Sequence, residues 1–295
     1  MSLRLLELLS VIVLFQLLFV SFFLFTHQKG KRLSNRLLGA FFLAVGLNMF
    51  DGLYVLTGWA GANPHLAFIG GTCSFLFGPL LYFYTQSVVY RDYQLPKNAA
   101  LHTAPFVLIT LLAVLSFHLQ PLPAKLIILA ARKQYDNPAF IFVLAFLNYA
   151  HIFGYVFLAI RVVSRYRKAI GERFSKIDHL NLQWLTSTLR GFLLSLLFAF
   201  LYTSVQLTPF TGYYEIPLAT IIAALFFFIN SIIFKALRQP EIFAGVDREE
   251  VASDAARPAR YASSALTGTE REGHLAQLRH RMDTKKPYLD PDLTI

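Results

Sequence analysis

The sequence predicts an all-α fold: a seven-transmembrane-helix bundle with a cytoplasmic linker and a short connector helix. Three observations lead there. The 295 residues are 56% hydrophobic, with 29 Phe and only 15% charged, which is too apolar for an ordinary water-soluble domain. Seven apolar stretches are each long enough to cross about 30 Å of hydrocarbon, which takes roughly 20 helical residues. The basic excess also sits wholly in the apolar part. Residues 1–237 hold 18 Lys/Arg against 7 Asp/Glu, and residues 238–295 hold 9 against 10. Basic charge in an apolar chain flanks membrane spans, and this outweighs nucleic-acid binding by that part.

The stretches are 5–26, 37–57, 66–90, 100–118, 138–163, 184–207 and 215–236. The first follows Arg4 and could be taken for a signal peptide. Glu7 interrupts its entry, its apolar run from Leu8 to Phe25 is too long, and no small-x-small site precedes His27. It reads as a permanent span. The second carries Asn48 and Asp51, three residues apart on one face. The third contains lone Cys73, a packing residue, and Gly78-Pro79 in its middle. A proline there removes a backbone hydrogen bond, so a kink is expected, with neighbouring helices satisfying the freed carbonyl. The fourth has Pro105 in its first turn, where proline is tolerated.

The fifth places Asn148, His151 and Tyr155 on one stripe. The sixth includes "FLLSLLFAFLY" (192–202), too apolar all round for a helix of a soluble bundle. Tyr202 and Gln206 share a face near its end, and Arg190 can snorkel from the other. The seventh opens with Tyr213, Tyr214 and Glu215 and has Pro217 in its first turn. Its only lysine, Lys235, lies at the far end, which excludes a retinal-type Schiff base at mid-span.

Orientation follows from the connections. Lys29, Lys31, Arg32 and Arg36 mark the first, Arg91 and Lys97 the third, and Arg161, Arg165, Arg167, Lys168, Arg173 and Lys176 the fifth. The second (58–64) and sixth (208–214) carry no charge, and the fourth (119–137) holds Lys125, Arg132 and Lys133. This asymmetry predicts an outside N-terminus and a cytoplasmic tail. Trp59 and Trp184 fall at span ends, as interfacial rings do. Three domains result: 1–237 in the membrane, 238–269 as linker, and 270–295 as connector and start of a further domain. Thr267 and Glu270 have capping-box spacing, and Leu275, Leu278 and Met282 form one apolar stripe that must pack on something.

The chain has no HExxH, GxSxG, phosphate-loop or paired-cysteine motif, so neither catalysis nor a cofactor or metal is expected. Asp290 and Asp292 read as a turn before a helix rather than a metal site. Intramembrane polar groups are costly and therefore informative. An outward-facing ligand pocket is expected from Asp51, Tyr54, His151, Tyr202, Gln206, Tyr214 and Glu215, with His151 as the candidate partner of Asp51. The plain alternative is hydrogen bonding between helices.

Three segments carry a resemblance: "FLFGPLLYFYTQSV" (75–88), "LHTAPFVL" (101–108) and "RYASSALTGTEREGHLAQLRHRMDTKKPYLDPDLTI" (260–295). Together they resemble the membrane-anchored AraC/XylS-type transcriptional regulators, in which seven spans precede a cytoplasmic helix-turn-helix domain. The tail is the more specific match, through Arg260-Tyr261, Ser264, Leu266, Glu270, Leu278, Met282 and the run from Lys286 to Leu293. The resemblance implies a bacterial inner-membrane sensor and anchor. Its partners would be the lipid bilayer, a small-molecule or membrane signal, and a second copy of the chain. DNA would be reached only through a domain expected beyond "DPDLTI". Gly78 and Pro79 would then be the transduction point, and Leu275, Leu278 and Met282 the connector or dimer face. The rival reading is a small-solute transporter or channel, against which stand the lack of an inverted repeat and the single clearly intramembrane carboxylate, Asp51.

Overall fold

The computed structural model describes residues 3–27, 31–90, 92–133, 139–171, 182–205, 215–238 and 268–285. It divides into two compact units, Met1–Arg248 and Glu249–Ile295. The long helices of the first unit are α1 (Leu3–Thr26), α2 (Arg32–Leu56), α4 (Phe77–Val89), α5 (Ala104–Ala113), α7 (Ala139–Gly171), α8 (Gln183–Val205) and α9 (Glu215–Arg238). Two others are α3 (Trp59–Ala62), a single turn, and α6 (Leu122–Lys133), which lies in the fourth connection. Three 3₁₀ segments, Pro64–Leu66, Gly71–Leu76 and Ala99–Thr103, and a π-turn at Val114–His118 complete the set.

Six segments among the described residues are long and apolar enough to cross a membrane: Leu5–Thr26, Arg32–Val55, Pro64–Val89, Ala99–His118, Phe142–Ala169 and Leu185–Val205. The chain is a multi-pass helical membrane protein on that basis. The seventh expected stretch is helical as α9, but its described apolar part, Leu218–Ser231, is shorter than a span. Large apolar side chains such as Phe15, Phe22, Leu108, Leu115, Val143 and Phe227 face outward, as a hydrocarbon solvent allows.

The packing order forms a closed ring. Helix α1 packs on α2, α2 on α4, α4 on α7, α7 on α8, α8 on α9, and α9 returns to α1. Phenylalanines fill its middle. Phe41 of α2 meets Phe77 of α4 edge-on and Phe192 of α8 at 5.2 Å, and Phe192 meets Phe228 of α9. The gap left there is about 10 Å³, walled by Leu17, Phe41, Phe42, Val45, Phe192, Leu225 and Phe228. Small residues let the helices close in. Ser21 Oγ of α1 donates to the Gly39 carbonyl of α2 at 2.8 Å, and Gly191 of α8 lies under the Phe228 ring. Helix α5 stays outside the ring, against the 3₁₀ segment Gly71–Leu76.

Two expectations change. Pro79 does not interrupt a helix: the 3₁₀ segment Gly71–Leu76 gives way to α4 at Phe77, and Pro79 occupies the first turn of α4. A missing N–H costs little there, so the bend is a change of helix type. This span is the most buried of the six, with 56% of its apolar window inside the protein. The fourth connection is also more than a loop. Helix α6 packs beside α2, α3 and the 3₁₀ turn at Pro64–Leu66. Lys125, expected as a loop charge, is only 3% exposed, with Nζ 3.0 Å from His65 Nδ1 and over the Phe117 ring. An amphipathic helix lying on the bundle end buries its stripe, lysine stem included.

In the second unit α10 (Gly268–Lys285) starts one residue after Thr267. Leu275, Leu278 and Met282 are all exposed on it.

Candidate functional site

The polar side chains of the spans gather where α2, the 3₁₀ segment Gly71–Leu76, α4 and α7 meet. On the α2 side they form a clamp. Asp51, 6% exposed, accepts the backbone N–H of Phe68 on one carboxylate oxygen, Oδ1. Phe68 is the one non-glycine residue with positive φ among the described residues, at 65°. A carboxylate holding that N–H offsets the cost of the left-handed turn. One helical turn earlier, Asn48 Nδ2 donates to the Gly71 carbonyl at 3.1 Å. Gly70 sits so close to α2 that a Cβ would fall 1.9 Å from the Leu47 carbonyl oxygen. The Asn48/Asp51 pair seen in the sequence thus fastens a backbone reversal to α2. One partner of Asp51 is this backbone, through the N–H of Phe68.

From the clamp a polar track leads to α7. Ser74 Oγ donates to the Gly71 carbonyl at 3.0 Å, and Asn148 Nδ2 of α7 donates to Ser74 Oγ at 2.8 Å. Thr110 Oγ1 of α5 donates to Thr72 Oγ1 at 3.0 Å. The next turn of α7 brings His151, whose ring lies 4.9 Å from that of Tyr155 and 6.1 Å from that of Phe75. Its Nδ1 is buried without a hydrogen-bond partner. One turn on, the Tyr155 hydroxyl lies 2.5 Å from His102 Nδ1, in the 3₁₀ segment that leads into α5. Tyr82 of α4 packs against Tyr155 and receives Gln86 Nε2 on its hydroxyl at 2.9 Å.

Gly78 makes this contact possible. A Cβ there would be 2.9 Å from Cβ and Cδ2 of Tyr155. The stretch "FGP" at the start of α4 therefore combines a change of helix type, a glycine saddle for Tyr155, and a proline where no N–H is needed. A shift of α7 relative to α4 must move Tyr155 off Gly78.

Four of the expected pocket residues, Asp51, Tyr54, His151 and Tyr202, have described side chains. Tyr54 donates its hydroxyl to the Asn63 carbonyl at 2.9 Å and belongs to a cluster with Ala60, Ala67, Phe117 and Leu129. His151 lies in the α4–α7 seam. Tyr202 is half-buried on α8. There Tyr149 of α7 reaches the Ala199 carbonyl and Thr203 Oγ1. Gln206 and Tyr214 lie outside the described residues, as does the side chain of Glu215, which opens α9. Sequence reasoning found the Asn148–His151–Tyr155 stripe but missed His102, Tyr82 and Gln86. A histidine inside "LHTAPFVL", facing an apolar span, was the available signal for His102. No group of three or more potential metal ligands occurs among the described residues.

No family model, curated protein or solved structure matches the chain.

Proposed function

We propose that this chain is the membrane-embedded sensor and anchor of a transcriptional regulator, which passes an outer-face or bilayer signal to an AraC-type DNA-binding domain. The observation that carries the proposal is the contrast between the two interiors of the bundle. The ring axis is closed by Phe41, Phe192 and Phe228, which disfavours a solute path. The α4–α7 seam holds two polar links, Asn48–Gly71–Ser74–Asn148 and Tyr155–His102, with the His151 ring packed between them. Buried polar networks specify one packing and are sensitive to any shift of a partner. That property suits a two-state element whose populations a signal biases. Gly78 and Tyr155 form its pivot, and the basic connections favour an outside N-terminus and a cytoplasmic tail. Helix α10 then serves as the connector, with Leu275, Leu278 and Met282 pairing two copies of the chain. The resemblance of residues 260–295 to the approach of an AraC-type domain supports this output.

The test uses Tyr155→Phe in the full-length protein. This change removes the hydroxyl beside His102 while keeping the ring over Gly78. The variant is expected to reach the membrane at normal levels and to fix, at one level, the transcripts that respond to loss of the gene. The proposal fails if no transcript responds to gene loss. It also fails if the purified protein carries solute flux into liposomes and Tyr155→Phe stops that flux.

A further inference from the structure

A cavity of about 390 Å³ opens where α1 ends and α2 begins, lined by Leu24, Phe25, Thr26, His27, Arg32 and Arg36. We infer that it is a binding site for the phosphate-bearing headgroup of an anionic phospholipid.

The first argument is charge. Arg32 and Arg36 are four residues apart on α2, so they stand one above the other on one face, and both are exposed. Among the described residues, no carboxylate lines the cavity. The one acid of α1 is Glu7, 17 residues before Leu24 and therefore about 25 Å away along the helix. The neighbouring lysine is committed elsewhere. Lys31 Nζ donates to the Ser87 and Tyr90 carbonyls at 3.1 and 2.7 Å, closing the end of α4. Burial lowers its pKa while Asp92 opposes that shift. The two arginines have no ion-pair partner among the described residues. Two guanidinium forks converging on a cavity match the oxygens of a phosphate ester, which accept paired N–H bonds.

The second argument is position. Phe25 belongs to a run of outward-facing rings, with Phe22 and Phe23, at the end of an apolar span. The cavity therefore has a cationic wall on α2 and an apolar wall continuous with the lipid-facing side of α1. That is the profile of a phospholipid at the depth where its phosphate meets its acyl chains. The volume is more than ten times the roughly 30 Å³ share of a liquid water molecule, so it admits a headgroup rather than a lone small ion. The same end of the bundle carries Lys97 and the Arg161, Arg165, Arg167 and Lys168 group at the end of α7. Such clustering enriches anionic lipid locally, and the cavity supplies the specific seat. This inference stands apart from the regulator reading.

The same phosphate chemistry could come from a soluble phosphate ester, so the experiment has two arms. The full chain is purified, and its thermal midpoint is followed with phosphatidylglycerol, with phosphatidylcholine, and with free glycerol phosphate. A selective rise with phosphatidylglycerol is expected, and Arg32→Gln/Arg36→Gln is expected to weaken the apparent lipid affinity at least tenfold. Arg32→Lys/Arg36→Lys keeps charge without the fork and is expected to retain part of the response. Arg161→Gln, on the same end but outside the cavity, is expected to change nothing. An equal response to phosphatidylcholine overturns the inference, as does an unchanged response of the double glutamine variant. A response to glycerol phosphate matching that to the lipid overturns the lipid assignment. If the glutamine variant does not fold, the lysine variant and Arg161→Gln decide: an undiminished response in the lysine variant, or a loss in Arg161→Gln as large as in the lysine variant, overturns the site.

Discussion

At the scale of single residues, the structure assigns the intramembrane polar groups to backbone geometry first. Asp51 stood out in the sequence as the one clearly intramembrane carboxylate, and its cost in the bilayer was reason to expect a ligand. Its observed role is to hold the N–H of Phe68 in a left-handed turn. Nothing in the spacing of residues could reveal that turn, because it arises where the segment after α3 folds back onto α2. Gly70 shows the tightness of the fit, since any side chain there meets the Leu47 carbonyl at 1.9 Å. Backbone oxygen cannot yield as a flexible side-chain tip can. Gly70→Ala is therefore expected to destabilise by at least about 3 kcal/mol, the upper end of overpacking costs. Gly61→Ala, with nothing within 4 Å of its added Cβ, is expected to be neutral. Thermal midpoints and folded yields of the two variants in one detergent check this. Equal behaviour of the pair contradicts the clamp.

At the scale of elements, periodicity and length located the long helices well. The stretch expected at 5–26 is α1 at Leu3–Thr26, and that at 184–207 is α8 at Gln183–Val205. Hydrophobic runs of this length have one helical solution in lipid, so they are legible. The composite third span was not legible. Its division into a 3₁₀ segment and α4 depends on how Gly71–Leu76 packs against α2 and α5. Helix α6 was missed for a similar reason: Lys125 reads as a loop charge until the His65 ring and the Phe117 face are seen around it. Helix α10 was legible from its apolar stripe, while Thr267 of the expected capping box lies outside the described residues. An isolated helix of 18 residues is marginal in water, so its apolar stripe needs a partner. With the full-length protein in membranes, Leu275→Cys is expected to give disulfide-linked dimers on mild oxidation. His280→Cys, five residues on and on the opposite face of the helix, is expected to give at least fivefold less. Equal cross-linking of the two positions contradicts a dimer through the stripe. Cys73, the one cysteine of these 295 residues, is buried in the bundle.

At the scale of the whole molecule, the regulator reading assigns a fixed role to the phenylalanine-filled centre of the ring and a displacement-sensitive role to its α4–α7 seam. This division underlies the regulator reading, and it needs the tail to face the compartment that holds DNA. The basic connections argue for that arrangement through the preference of Lys and Arg for the cytoplasmic side. α9 must then complete a seventh crossing, although only Leu218–Ser231 of its apolar face is described. Topology reporters placed along the chain test this most directly. Insertions at residues 62, 120 and 210 are expected to report the outside, and those at 34, 95, 170 and 260 the cytoplasm. A tail at 260 that reports the outside, or a cytoplasmic signal at 210, contradicts the account.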